Sequence, residues 1–309
     1  ALAGMALGLS GEASAYVRTR TSTGVPTAWR SPCVTMEFSL GEVPPLLDAA
    51  AYLDAAQQAG AAWTTASLDG ANRCSNVLLM IEPTADIGGP VAKDGHNRII
   101  FRQNAWCREP APTDSSEPRC YDPSALAITT VFQLKNSGEI LDADLEVNAV
   151  TFTWGDFVGK PDLMPYGSHD FQGAITHELG HVLGLEHTCY NAVYRADGML
   201  VSRPVDNLGN PVPDCGYEAP ASVAEATMYV SVNSPQAEVG LRTLSPDDAQ
   251  GVCEIYPYSA GYVCEAPSSD RDNAKGGGGC SLTARSRSGP IAVALVLLAA
   301  LALLCRRPR

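Results

Sequence analysis

Apolar and polar residues alternate through "CVTMEFSL", positions 33–40, so every second side chain falls on one face, as in a half-buried strand. The period then changes. "PPLLDAAAYLDAAQQAGAAWTTA", positions 44–66, is rich in Ala and Leu and opens on proline, which predicts a helix of about five turns. "SNVLLMIE", "NRIIFRQN", "ALAITTVFQL" and "EILDADLEVN" follow, each strand-like and separated by Gly, Pro, Asn or Asp. Helical spacing returns in "AITHELGHVLGLEHTC", positions 174–189, where Ala174, Ile175, Val182 and Leu183 can pack inward and Asp170 is placed to cap. A last helix is predicted at "LSPDDAQGVCEIY", with Ser245 as cap, Pro246 in the first turn, and Asp247 and Asp248 at the positive end of the helix. From Tyr258 to Gly279 the chain turns small, polar and glycine-rich, the composition of a linker. No internal repeat is present. The order of strand, long helix, several strands, then two helices predicts an α+β domain.

Composition adds exclusions. Apolar residues make up 45% of the 309, enough for a proper core. The net charge of -13, without a basic run in the body, argues against a nucleic-acid partner, because phosphate binding needs clustered Lys and Arg. The acidic surface is read simply as a solubility device.

Ten cysteines point to disulfides if the chain is exported. The first stretch, "ALAGMALGLSGEASAY", runs apolar to a small-residue site at Ala13-Ser14-Ala15 and reads as part of a secretory signal peptide, residues 1–15. At the other end "GGGGCSLTARSRSGP" leads into an apolar run from Ile291 to Cys305 and a basic terminus. As a helix that run spans roughly 22 Å, short of the roughly 30 Å hydrocarbon core. It therefore reads as a sorting signal over residues 280–309, in contact with the membrane before processing, rather than as a permanent anchor. With Cys280 and Cys305 set aside, eight cysteines remain, which allow roughly a hundred pairings. Loop closure alone favours Cys107 with Cys120 and Cys189 with Cys215. Cys33 is read as half of a structural disulfide.

Three of the five histidines fall within "HELGHVLGLEH". On a helix, His177 and His181 share a face and can aim ring nitrogens at one metal ion. Glu178 lies roughly 100° further round, where it can reach a metal-bound water without ligating. A stop near Gly184, by way of the left-handed conformation, brings His187 round as third ligand. Three neutral imidazoles leave a fourth position open on Zn²⁺, the layout of a catalytic site. Cys189 as a fourth ligand would close the site and make it structural; a disulfide to Cys215 excludes that. His96 and His169 have no ligand spacing around them and are read as solvated loop residues. Asp142, Asp144 and Glu146 share one strand face. They could serve Ca²⁺, but the spacing is not that of a calcium loop, so a solvated face is expected.

This pattern resembles the metzincin clan of zinc endopeptidases, matrixins in particular. "EATMYVSV" supplies Met228 for the methionine turn that the clan places under the zinc, and "RTLSPDDAQGVCEIYP" is similar to the matrixin final helix. The resemblance covers most of 16–257, and its specific motifs lie in the second half. It implies a zincin-like fold: a twisted mixed sheet with an antiparallel edge strand, a long helix, an active-site helix and a C-terminal helix, with polypeptide substrate extended along that edge. It also implies an exported, zinc-dependent endopeptidase with one catalytic Zn²⁺ on His177, His181 and His187 and with Glu178 as general base and acid. The alternative is a cell-surface binding module on the same fold that cuts nothing. The C-terminal tail resembles the sorting tags of Gram-negative surface proteins, the myxobacterial type above all, in which the cysteine after the glycines, here Cys280, is the processing site. Between His187 and Met228 lie about 40 residues, longer than the family's usual connection, so this insertion is expected to form one wall of the cleft. The expected organisation is thus a signal peptide at 1–15, a catalytic domain at 16–257, a linker at 258–279 and a tag at 280–309, on the outer cell surface.

Overall fold

The alternating residues of Cys33–Ser39 form strand β1, which buries Val34, Met36 and Phe38 on one face. The computed structural model of the protein describes residues 16–264, apart from 86–88, 109–117, 192–202, 217–218 and 231–234. The expected signal peptide and sorting tag lie outside the described residues. Among the described residues no helix is long and apolar enough to cross a membrane.

Helix α1, Ala49–Thr64, starts where the Asp48 side chain accepts the Ala51 N–H, and it buries Tyr52, Ala56, Ala59, Gly60 and Trp63. Strands β2 (Leu78–Thr84), β3 (Asn97–Arg102), β4 (Ala127–Gln133) and β5 (Glu139–Asn148) come next along the chain, then helices α2 (Phe171–Val182) and α3 (Pro246–Ile255). The sheet runs β2-β1-β3-β5-β4. The first four strands are parallel, and β4 alone is antiparallel, paired to β5 at the edge. Short pairs are added around it, among them Val17–Arg18 antiparallel to Leu185–Glu186.

One face of the sheet carries the core. Met36, Phe38, Ile99, Phe101, Leu145 and Val147 meet α1 and α2 there. Phe171 at the start of α2 stacks on Phe101 at 5.3 Å between ring centres and takes the edge of Tyr52 at 5.1 Å. The Trp63 indole N–H donates to the Thr176 carbonyl at 2.8 Å, so α1 fixes α2 by a hydrogen bond as well as by packing.

The other face is not solvated, and the expectation for Asp142, Asp144 and Glu146 is corrected: all three are fully buried. Strand alternation places them on one side but cannot say what covers that side. The segment 92–98 folds over it and donates backbone N–H groups to both Asp144 oxygens and to Oδ2 of Asp142, whose Oδ1 is buried without a partner among the described residues. Asp142 accepts from Asp94 (2.9 Å) and Gly95 (2.7 Å), and Asp144 from Ala92 and Arg98, both at 3.0 Å. Glu146 accepts from Arg102 Nε at 2.6 Å and from the Tyr121 hydroxyl at 2.5 Å. Burial, only partly offset by these donors, pushes the Asp144 carboxyl up to about 7 from an ordinary 3.8. The folded chain therefore holds a proton there that the unfolded chain releases above 3.8. This carboxyl's contribution to stability falls as pH rises from about 4 to about 7. The side-chain ¹³C resonance of Asp144 is expected to titrate with a midpoint near 7, and a midpoint below 5 contradicts the burial argument.

Among the described residues there are four disulfides: Cys33–Cys264, Cys74–Cys253, Cys107–Cys120 and Cys189–Cys215. The middle two join α3 to the segment before β2 and close a short two-stranded ribbon. The first reaches into the stretch whose composition reads as linker. There Cys264 is tied to β1, and the Tyr262 hydroxyl lies 3.1 Å from Ser31 Oγ.

Candidate metal centre

Helix α2 begins at Asp170, whose side chain accepts the Gly173 N–H at 2.8 Å. It ends at Val182, and Gly184 takes φ +90°, where a side chain would bring a Cβ to 2.7 Å from the Thr27 carbonyl oxygen. Only glycine makes this turn without strain. Gly184→Ala is expected to lower stability by about 2 kcal/mol in urea denaturation, and an unchanged midpoint contradicts the clash.

The turn delivers His187 to the face of α2 that holds His177 and His181. His187 Nε2 lies 3.2 Å from His177 Nε2 and 3.1 Å from His181 Nε2. The other nitrogens set the tautomers. His177 Nδ1 donates to the Thr227 carbonyl at 2.6 Å and His181 Nδ1 to the Leu185 carbonyl at 2.9 Å. Both rings therefore turn an Nε2 lone pair toward His187. One proton on His187 Nε2 can satisfy only one of them well, whereas a cation satisfies all three. Burial, then the charge of neighbouring His181, holds the His177 imidazole below its ordinary value. His187 is lowered by burial first and by both neighbours next. Neutral rings are what a metal needs, and this cluster could coordinate a metal ion. Cys189 is not a fourth ligand, because it is bonded to Cys215.

Beneath the site, Met228 is buried against Gly180, where an added Cβ would stand 2.2 Å from its sulfur. The turn holding Met228 hangs on Asp248 of α3. The Asp248 carboxylate accepts the Thr227 N–H at 2.7 Å and the Met228 N–H at 3.1 Å while completing the capping box with Ser245. A chain of contacts thus runs from the α3 cap through Thr227 to the His177 ring.

Glu178 lies one residue after the first imidazole and is buried to 8% exposure. Its Oε2 accepts the Thr129 hydroxyl of β4 at 2.6 Å, while Oε1 has no hydrogen-bond partner among the described residues. The three histidines and Glu178 open onto a cleft of about 930 Å³, bordered by β4 on one side. His169 lines it too and is not a solvated loop residue: it sits in the short strand Ser168–Asp170, its Nδ1 2.8 Å from Glu238 and its ring edge-on to Phe152 at 4.9 Å. His96 is exposed and lies 2.7 Å from Glu37. Of the insertion, Asn191 reaches the cleft and Gly216 donates its N–H to the Tyr229 hydroxyl at 3.0 Å.

No family model matches the chain. No curated protein matches it either. Among solved structures it is similar to one described as "GM1 bound form of the ECX AB5 holotoxin", at 13% identity over 79% of this chain and 89% of that one, with a TM-score of 0.39. A likeness so distant carries no argument about function, which therefore rests on the site itself.

Sequence reasoning missed Thr129, Thr227 and the second task of Asp248. Each acts across about 20 to 50 residues of chain, beyond the reach of any local spacing.

Proposed function

We propose that this chain is an exported zinc endopeptidase of metzincin type, similar to matrixins. It holds one Zn²⁺ on His177, His181 and His187 and hydrolyses peptide bonds with Glu178 carrying the proton. The observation that carries the reading is the convergence of three imidazoles, two of them oriented by backbone carbonyls, beside a buried carboxylate on an open cleft. The Nε2 separations of 3.1 and 3.2 Å match two edges of a tetrahedron with bonds of roughly 2.0 Å. Bound there, zinc supplies Lewis acidity and a water of lowered pKa.

The rest is the work of the chain. Oε1 of Glu178 takes the proton of the attacking water, since Oε2 is engaged by Thr129, and returns it to the leaving amine. Strand β4 pairs only with β5 among the described residues, and every residue along it is partly exposed. Its outer edge offers backbone donors and acceptors to an extended polypeptide. The four disulfides support an oxidising, exported setting.

The test is cleavage of a reduced, carboxymethylated protein by the full chain. Cleavage is expected to stop on chelation and to return with one equivalent of zinc; zinc-loaded chain that never cuts favours the binding module instead. Thr129→Val removes the hydroxyl that fixes Glu178 and is expected to lower kcat about tenfold with little change in KM. Thr129→Ser, which keeps the hydroxyl, restores most of the rate, and a Ser variant as slow as Val contradicts the positioning role.

A further inference from the structure

A second hollow, of about 500 Å³, adjoins the cleft on the His187 side and shares Glu186, His187, Asn191 and Val230 with it. Two arginines line it, Arg18 and Arg20. They stand two apart on an extended segment, so they share a face, while Val17 turns inward and is buried. The segment is locked to the turn that carries the third imidazole. Val17 pairs with Glu186, Arg18 with Leu185, and the Thr19 N–H donates to the Gly184 carbonyl at 2.9 Å.

Like Arg73, these arginines rest on backbone carbonyls and not on a carboxylate. Arg98, Arg102, Arg203 and Arg242 each pair with a carboxylate. Arg18 and Arg20 use single hydrogen bonds to backbone carbonyls, Thr27 at 2.8 Å and Gly24 at 2.9 Å. Neither faces a carboxylate within ion-pair distance among the described residues, although acidic residues outnumber basic ones by 34 to 21. Arg18 Nε is buried without a partner. Burial holds the Arg18 guanidinium below its ordinary value, opposed in part by Tyr16 and Tyr256, and the charge of Arg20 adds a smaller push in the same direction as burial. The acid in the hollow, Glu186, is turned to the ligand: its Oε1 accepts the His187 N–H at 3.0 Å and lies 3.7 Å from His187 Nδ1. Two like charges held side by side, one of them desolvated, are relieved by an anion, and a carboxylate matches guanidinium geometry.

We infer that Arg18 and Arg20 form a carboxylate-binding subsite contiguous with the metal cleft, so that the preferred polypeptide carries an acidic group on the His187 side of the metal. The inference rests on reading the cleft as a substrate channel.

The test is binding, separate from cleavage. The full chain carrying Glu178→Ala, loaded with zinc, is titrated into fluorescent decapeptides blocked at both ends, in which one Glu or one Gln is moved through each position. One position is expected at which Glu binds about tenfold more tightly than Gln. Arg20→Gln, at an exposed residue, removes that preference, and Arg20→Lys keeps part of it. A peptide whose only carboxylate is its free C-terminus, compared with its amide, shows whether a chain end can supply the same group; a preference for the free acid that Arg20→Gln abolishes supports the subsite. Peptides that bind equally well with Glu or Gln at every position, and equally as free acid or amide, overturn the subsite and leave the protease reading standing. A preference that survives Arg18→Gln/Arg20→Gln also overturns it. If no peptide binds and the wild-type chain cuts nothing, the proposed function fails, and the subsite with it.

Discussion

On the proposed reading, Glu178→Ala is expected to leave one zinc per chain and to lower peptide cleavage by about a thousandfold. Zinc binding persists because the three nitrogens that converge belong to His177, His181 and His187, and Glu178 is not among the groups that meet there. The fold persists because the Glu178 carboxylate holds a single hydrogen bond, from the Thr129 hydroxyl, which becomes free to donate to the Glu178 carbonyl oxygen, 3.2 Å away. What disappears is the carboxylate next to the first imidazole, fixed on one oxygen by Thr129 and open on the other. The measurement is kcat/KM on a quenched peptide, with metal content determined on the same sample. A variant that keeps its rate places the proton transfer elsewhere; one that loses its zinc makes Glu178 part of the metal's support.

Asp248→Ala produces the largest expected loss of stability. It leaves the buried Thr227 and Met228 N–H groups unpaired and removes one half of the α3 capping box, together about 3 kcal/mol. The damage is also expected to reach the metal site. The Thr227 carbonyl orients His177, and loss of such support costs about 10- to 100-fold in metal affinity. Asp248→Asn retains an oxygen acceptor and falls between the two. Denaturant unfolding and competition with a zinc chelator measure both effects. Lower stability with unaltered zinc affinity would mean that the turn does not transmit strain to His177.

What could be read in advance was whatever lay close in the chain. His177 and His181 are four apart, Gly184 and His187 come within six more, and the helix geometry does the rest. The caps at Asp170 and Ser245 are equally local, as are the short loops closed by Cys107–Cys120 and Cys189–Cys215. Cys33–Cys264 and Cys74–Cys253 span 231 and 179 residues, where loop-closure entropy barely distinguishes one partner from another. Thr129 meets Glu178 only because β4 lies at the sheet edge over α2, a fact of packing order rather than of spacing. The burial of Asp142 and Asp144 was hidden for the same reason: alternation identifies a face, and the covering segment comes from about 50 residues away. His169 looked solvated because its partner, Glu238, is 69 residues distant.

The most direct measurement is X-ray absorption at the zinc edge on the full chain reconstituted with one equivalent of metal. Three imidazole nitrogens and one further light ligand, at roughly 2.0–2.1 Å, are the expected first shell, with the light ligand displaced by a peptide hydroxamate. A sulfur ligand, a fourth imidazole, or a shell that the hydroxamate leaves unchanged would contradict an open catalytic zinc on His177, His181 and His187.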